Sequence, residues 1–318
     1  MGGRRRHNRT ERGLSDEWRR WVADALSRGV SPDDAVTALV AERVPRLIAV
    51  REVGVITAAW GGVADRTRRM ELALEVLREH APGYLARRAL CGAEEFYDRY
   101  FSASRPVVFS DGCAHMTAAR WSFPDLRARF GDAVVDVGLP VPKSMRFRDA
   151  LDAMLRPDAP PDLYIQSHNR ALAGPLKAMA AELDPLPEFL DGDDARRSAN
   201  LWLGPANTLS PLHHDTTHVY FCQLAGRKRY ELIAPWEVDV LCAPIRDTCD
   251  SQYDIDGDGD GGARVVHRVD LEPGESLFIP IGWWHRVRAL EPSLSVSLRS
   301  FVWEAGCPWY LPGVSPVG

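Results

Sequence analysis

Ser210-Pro211-Leu212-His213-His214-Asp215 is the stretch on which the reading of this chain turns. In an extended strand, residues two apart share a face, so His213 and Asp215 converge while His214 turns away. An imidazole and a carboxylate held together need one more nitrogen to make a two-histidine, one-carboxylate set. That set suits iron(II) and leaves neighbouring coordination positions open. The third donor must come from a distant strand laid alongside. Phe278-Ile279-Pro280-Ile281-Gly282-Trp283-Trp284-His285 offers it: Gly274-Glu275 makes a turn, an apolar strand follows, and His285 opens the next strand. A lone His-x-Asp arises by chance, and ordinary buried or surface histidines are the alternative reading. The second segment favours the triad His213, Asp215 and His285. His218 lies outside the pair, and His267 has no carboxylate at the needed spacing.

The surrounding sequence reads as strands and turns. Short runs rich in β-branched and aromatic residues alternate with Pro/Gly punctuation from about residue 94: Pro106–Phe109, Val134–Val137 and Leu163–Ile165. Denser signals follow at Val219–Leu224, Arg229–Ile233, Val265–Val269, Ser276–Ile279 and Leu294–Phe301, with helical insertions near 123–130, 147–155 and 175–183. Many short strands predict a mainly β sandwich or barrel with helical additions. The first ninety or so residues read as helical instead. Ser15 caps a helix running to about Arg28, and Ser31-Pro32-Asp33-Asp34 is a strong helix start. A further helix is expected from about Val63 to Glu79. The expected organisation is a disordered basic tail over 1–13, a helical N-terminal domain over 14–90 and a catalytic domain over 91–318.

Bulk properties narrow the function classes. The 318 residues are 45% apolar, ordinary for a globular chain. A net charge of −5 gives no global attraction to nucleic acid or to an anionic membrane. No stretch approaches the length of a membrane span, and no apolar segment backs the N-terminal arginines as in a secretory signal. Six scattered cysteines without a Cys-x-x-Cys pair read as reduced thiols of a cytoplasmic protein.

Trp202-Leu203-Gly204-Pro205, the 210–215 segment, Gln223-Leu224-Ala225-Gly226-Arg227-Lys228-Arg229 and the 274–285 segment together resemble the JmjC/cupin-like hydroxylases, which include asparaginyl and arginyl protein hydroxylases. The resemblance covers roughly residues 94 to 303. It implies a double-stranded β-helix (jelly-roll) core and oxidation driven by Fe(II), 2-oxoglutarate and O2. It also implies that Lys228 pairs with the distal carboxylate of 2-oxoglutarate, with Ser210 and Tyr164 assisting. A buried ammonium suits a dianion in a low-dielectric pocket. Strand alternation faces Lys228 away from Arg227 and Arg229, although a solvated hairpin lysine is the plainer alternative. Trp202 and Phe221 are expected to wall the pocket. Val219 stands where several relatives have asparagine. An arginine on a late strand anchors 2-oxoglutarate in other branches. Arg299 is therefore a further cosubstrate candidate, with substrate contact and plain solvation as alternatives.

Asp254-Ile255-Asp256-Gly257-Asp258-Gly259-Asp260 imitates the start of a calcium loop, but Val265 stands where the bidentate glutamate belongs. An acidic insertion bordering the substrate channel is the reading, with a basic peptide as the partner it would favour. The function implied is hydroxylation of a protein or peptide side chain. N-methyl demethylation, small-molecule hydroxylation and a non-catalytic metal-binding cupin stand as alternatives. A homodimer formed through helices outside the barrel is implied by the resemblance, with no nucleic-acid or membrane partner.

Overall fold

Strands 219–225, 276–279 and 293–298, buried on both faces, form the middle of the main sheet. The computed structural model describes residues 14–59, 85–138, 141–186, 188–237, 255–256 and 266–303. The chain divides into two compact units, Met1–Ala81 and Pro82–Gly318. The second begins ahead of the boundary expected near residue 90, because Ala86–Arg88 (β1) pairs in parallel with Val107–Phe109 (β2) and so belongs to the sheet.

In the first unit, α1 (Asp16–Ser27) and α2 (Pro32–Ala41) start where expected. Ser15 Oγ accepts the Trp18 amide at 3.3 Å, and Ser31 Oγ accepts that of Asp34 at 3.1 Å. A third helix, α3, occupies residues 46–59. Its β-branched Ile48, Val50, Val55 and Ile56 and its Gly54 weaken the helix signal, but Ala49 and Val53, four apart, seal a small core with Val22, Ala35 and Leu39. Packing of that apolar stripe overrides propensity. The helix expected over 63–79 and the basic tail over 1–13 lie outside the described residues.

The second unit carries two main sheets. After β1 and β2 come β3 (Val134–Val137) and β4 (Lys143–Arg146), paired with each other. Then follow β5 (Asn200–Gly204), β6 (Leu209–His214), β7 (Val219–Ala225) and β8 (Lys228–Ile233). The last four are β9 (Val266–Leu271), β10 (Ser276–Ile279), β11 (Trp284–Ala289) and β12 (Ser293–Leu298). One sheet runs β1-β2-β10-β7-β12-β5, and the other runs β6-β11-β8-β9. From β5 onward the chain crosses between the sheets in the order of a double-stranded β-helix. Leu163–Ile165 forms no strand, only a bridge between Ile165 and Leu203.

Two cores result. Val219, Phe221, Leu277 and Ile279 from the larger sheet meet Tyr230, Leu232 and Val287 from the smaller one inside the barrel. The other face of the larger sheet, including Tyr220, Phe278, Leu294 and Val296, packs under helical insertions around Phe96, Leu126 and Leu151. The insertions include α4 (Phe123–Phe130) and α5 (Phe147–Met154), near the expected positions. With both faces covered, such strands read as continuous apolar runs.

The outer face of the smaller sheet mixes exposed arginines with one buried carboxylate. Buried Glu231 accepts from Arg268 at 2.9 Å and from Arg286 at 2.6 Å, and Arg286 also pairs with Asp256. Ile255 packs beside Trp284, Leu212 and Ile233. Residues 255–256 of the acidic insertion are thus fastened behind the barrel wall by Arg286, a side chain pointing away from the lumen. This corrects the expectation of a channel-bordering acidic loop at those two positions. The remaining aspartates lie outside the described residues.

Gly226 turns the β7–β8 hairpin at φ +63°, and a Cβ there would meet the Pro292 carbonyl oxygen at 2.1 Å. Gly226→Ala is therefore expected to lower stability by well over about 1 kcal/mol, read as a shifted denaturant midpoint with an unchanged slope.

Candidate metal centre and its cavity

β6 and β11 are antiparallel, with His285 opposite His213 and Val287 opposite Ser210. Three steps along β6 match two along β11, so β6 carries a bulge between Ser210 and His213. In a regular strand that odd spacing would put the two on opposite faces. The bulge turns both towards the lumen, where Ser210, His213, Asp215 and His285 line one cavity. His214 pairs in register with Trp284 and packs edge-on against it, with ring centroids 4.7 Å apart, on the opposite face.

Donor atoms of His213, Asp215 and His285 all lie within 4.8 Å of one another. His285 Nε2 is 3.7 Å from Asp215 Oδ2, and the two imidazole centroids are 4.2 Å apart. Each ring is oriented by its own strand. His213 Nδ1 donates to the Pro211 carbonyl at 2.7 Å, and His285 Nδ1 donates to the Trp283 carbonyl at 3.0 Å. Because a carbonyl only accepts, Nδ1 carries the proton and Nε2 keeps its lone pair, the arrangement of an oriented metal-binding histidine. His285 Nε2 is buried and has no hydrogen-bond partner among the described residues. Burial, with His213 next to it, pushes the His285 imidazole down to about 4, which keeps it in the neutral ligating form. An orphaned buried nitrogen facing a second imidazole and a carboxylate fits a divalent cation.

The space in this partly open cavity, solvent at its mouth included, is about 310 Å³. Tyr164, Trp202, Phe221 and Lys228 line it, as expected. Lys228 faces inward while Arg229 points out to Asp270. The lysine Nζ donates to Ser295 Oγ at 2.7 Å and to the Trp202 carbonyl at 3.3 Å, and it lies 5.9 Å from the Tyr164 ring centroid. Among the described residues no carboxylate pairs with it. Burial pushes its ammonium down to about 7. Burial pushes the Tyr164 phenol up, an effect partly offset by its contact with the Ser210 hydroxyl.

Arg299 departs from expectation. It lies past the end of β12 and does not line the cavity with Lys228. It lines a wider outer groove that shares Tyr164, Trp202, Ser210, His213 and Asp215 with the cavity. Three cavity residues escaped the sequence reading, Tyr230, Val287 and Ser295. Ser293, Ser295 and Ser297 alternate with Leu294, Val296 and Leu298, a pattern that resembles a solvent-facing edge. All six are buried, and Ser295 and Ser297 bond Lys228 and Trp202 inside the barrel.

The cupin-like domain family matches residues 93–301. The chain belongs to that family. The JmjC/cupin-like resemblance read from the sequence is therefore shown. This cupin-like chain is 32% identical over 235 residues to lysine-specific demethylase JMJ30 of Arabidopsis thaliana, covering 66% of this chain and 53% of that one. It is 26% identical over 226 residues to lysine-specific demethylase 8 of Xenopus tropicalis, covering 64% and 50%. Over 110 residues it is 39% identical to Jumonji C domain-containing protein 5 of Drosophila melanogaster, covering 32% and 27%. The cupin-like chain spans about half the length of the first and second of these relatives. No helix among the described residues is long and apolar enough to cross a membrane.

Asp215→Ala is expected to weaken Mn(II) binding about 100-fold or more, because even outer partners of a metal ligand cost 10–100-fold. Asp256→Ala, behind the barrel wall, is expected to leave it unchanged. Calorimetric titration of metal-free protein reads both.

Proposed function

We propose that this chain is an Fe(II)- and 2-oxoglutarate-dependent oxygenase that hydroxylates a side chain of a protein or peptide. The observation that carries this reading is the convergence of His213, Asp215 and the orphaned His285 Nε2 on a cavity that also holds an uncompensated buried lysine. The first three would hold the metal, and Lys228 would meet the carboxylate of the cosubstrate. When bound, Fe(II) and 2-oxoglutarate supply the capacity to activate O2 and oxidise an unactivated C–H bond.

The protein's own part is orientation and exclusion of water. Carbonyls of Pro211 and Trp283 fix the two imidazole tautomers. The Lys228 ammonium, already held by Ser295, offers its remaining proton to an incoming carboxylate, and the hydroxyls of Tyr164 and Ser210 stand in the same cavity. Phe221, Tyr230 and Val287 wall the site with apolar surface, which strengthens each of these contacts. The outer groove gives a substrate access to the same centre. Demethylation of an N-methyl group is a second reading. It is favoured by the names of the relatives and needs the same oxidation at a different carbon.

Anaerobic addition of Fe(II) and 2-oxoglutarate is expected to produce a visible charge-transfer band. Wild-type protein that binds iron and never shows the band would leave a non-catalytic cupin as the reading. Lys228→Met is expected to weaken 2-oxoglutarate binding to the Mn(II)-loaded protein about tenfold or more, some 1.4 kcal/mol. The pH dependence follows from the lysine. Below about 7 the empty pocket presents an ammonium, and above it a neutral amine. Affinity for the dianion should therefore fall as pH rises from 6.5 to 8.5. Lys228→Met should flatten that profile in the same titration.

A further inference from the structure

Arg299 stands apart from Lys228 and does not line the cosubstrate end of the cavity. It lies in the outer groove with Asp162, Gln166, His168 and Trp202, its side chain 32% exposed. Its Nη2 stands 3.7 Å from Asp215 Oδ1, too far for a hydrogen bond, and its buried Nε has no partner among the described residues. The two oxygens of Asp215 thus divide. Oδ2 faces His285 Nε2 and Oδ1 faces the guanidinium. Once Asp215 serves a divalent cation, its charge is shared with the metal, and Arg299 is left as a positive group beside the centre. A buried guanidinium N–H without an acceptor is costly, and such a donor marks a place where a ligand supplies the acceptor. Asp162 lines the same groove from an exposed position, where solvent and salt screen it.

We propose that Arg299 selects the substrate by binding a carboxylate next to the carbon that is oxidised. The substrate class is then an acidic side chain, not a methylated lysine or an arginine. A guanidinium meets a carboxylate in a two-pronged geometry that positions as well as attracts. A cationic side chain at the same place faces both the guanidinium and the metal. This inference rests on the oxygenase reading above. Under that reading the substrate C–H becomes C–OH with one oxygen atom of O2. The other oxygen enters 2-oxoglutarate, which leaves as succinate and CO2. Arg299 exchanges neither electrons nor protons in this balance.

The test uses the full chain loaded anaerobically with Mn(II) and 2-oxoglutarate. Blocked pentapeptides differing only in a central Asp, Glu, Lys, dimethyl-lysine or Arg are titrated by ligand-observed NMR. The wild type should hold the acidic peptides about tenfold or more tighter than the basic ones. Arg299→Glu should reverse the order, and Arg299→Lys should keep it in weakened form. The readout is a ratio within one protein, so a folding or loading defect lowers both arms together. A wild-type preference for the basic peptides, no binding of the acidic ones, or a ratio unchanged in Arg299→Glu overturns the proposal. The last outcome would leave Arg299 as a positioning residue for Asp215. Loading is measured before any peptide is added. A failure to bind Mn(II) and 2-oxoglutarate there is distinct from a missing charge preference, and it overturns the oxygenase reading together with this one.

Discussion

Two buried nitrogens govern the rest of this structure: among the described residues, His285 Nε2 has no hydrogen-bond partner and Lys228 Nζ has no carboxylate. Each sits in an apolar lumen where an uncompensated polar or charged group is costly. The fold answers with local partners: a backbone carbonyl for the far side of the imidazole, and Ser295 with the Trp202 carbonyl for the amine. It supplies no carboxylate to the lysine among the described residues. A barrel stabilised by such burial alone would place leucine at both positions. Keeping both nitrogens leaves a cavity complementary to a cation at one wall and to an anion at another.

The backbone makes that placement possible. Strand alternation sends His285 and Val287 inward on β11 and leaves Trp284 and Arg286 outside. The bulge in β6 adjusts the neighbouring strand, so that Ser210, three residues before His213, still reaches the lumen. Behind the wall, Glu231 ties β8 to β9 and β11 through Arg268 and Arg286. The metal wall is thus braced from its outer side by charges that never enter the cavity. The groove outside it, with Arg299 at its inner edge, is the part of the site that would discriminate among substrates.

Legibility of the site followed the range of the interactions involved. His213, Asp215 and the inward facing of Lys228 obey alternation within one strand, which a sequence displays directly. The serines of β12 obey the same alternation but were hidden by it, because polar–apolar alternation ordinarily means one wet face, and here both faces are dry. Arg299 lies one residue past the end of β12, with the parity of the inward-facing Ser295 and Ser297, and its side chain reaches the groove outside the cavity; where a strand ends is set by its pairing and not by its local pattern. Asp256 was read as part of an acidic insertion bordering the channel. Its partner Arg286 comes from a strand thirty positions away, a pairing no local pattern records.

The sequence by itself determined the elements and the donors: helix starts at Ser15 and Ser31, the density of strands after residue 200, and a histidine–aspartate pair with a later histidine. These depend on capping, turn chemistry and side-chain parity, which act over a few residues. Only the tertiary structure decided which groups share a cavity. Crossing between two sheets brings β6 against β11, and lumen burial turns Ser295 into a partner for Lys228. Sheet pairing and burial are relations between distant segments. They set the dielectric around each side chain, and with it whether a histidine, a lysine or an arginine is a solvated surface group or part of a site.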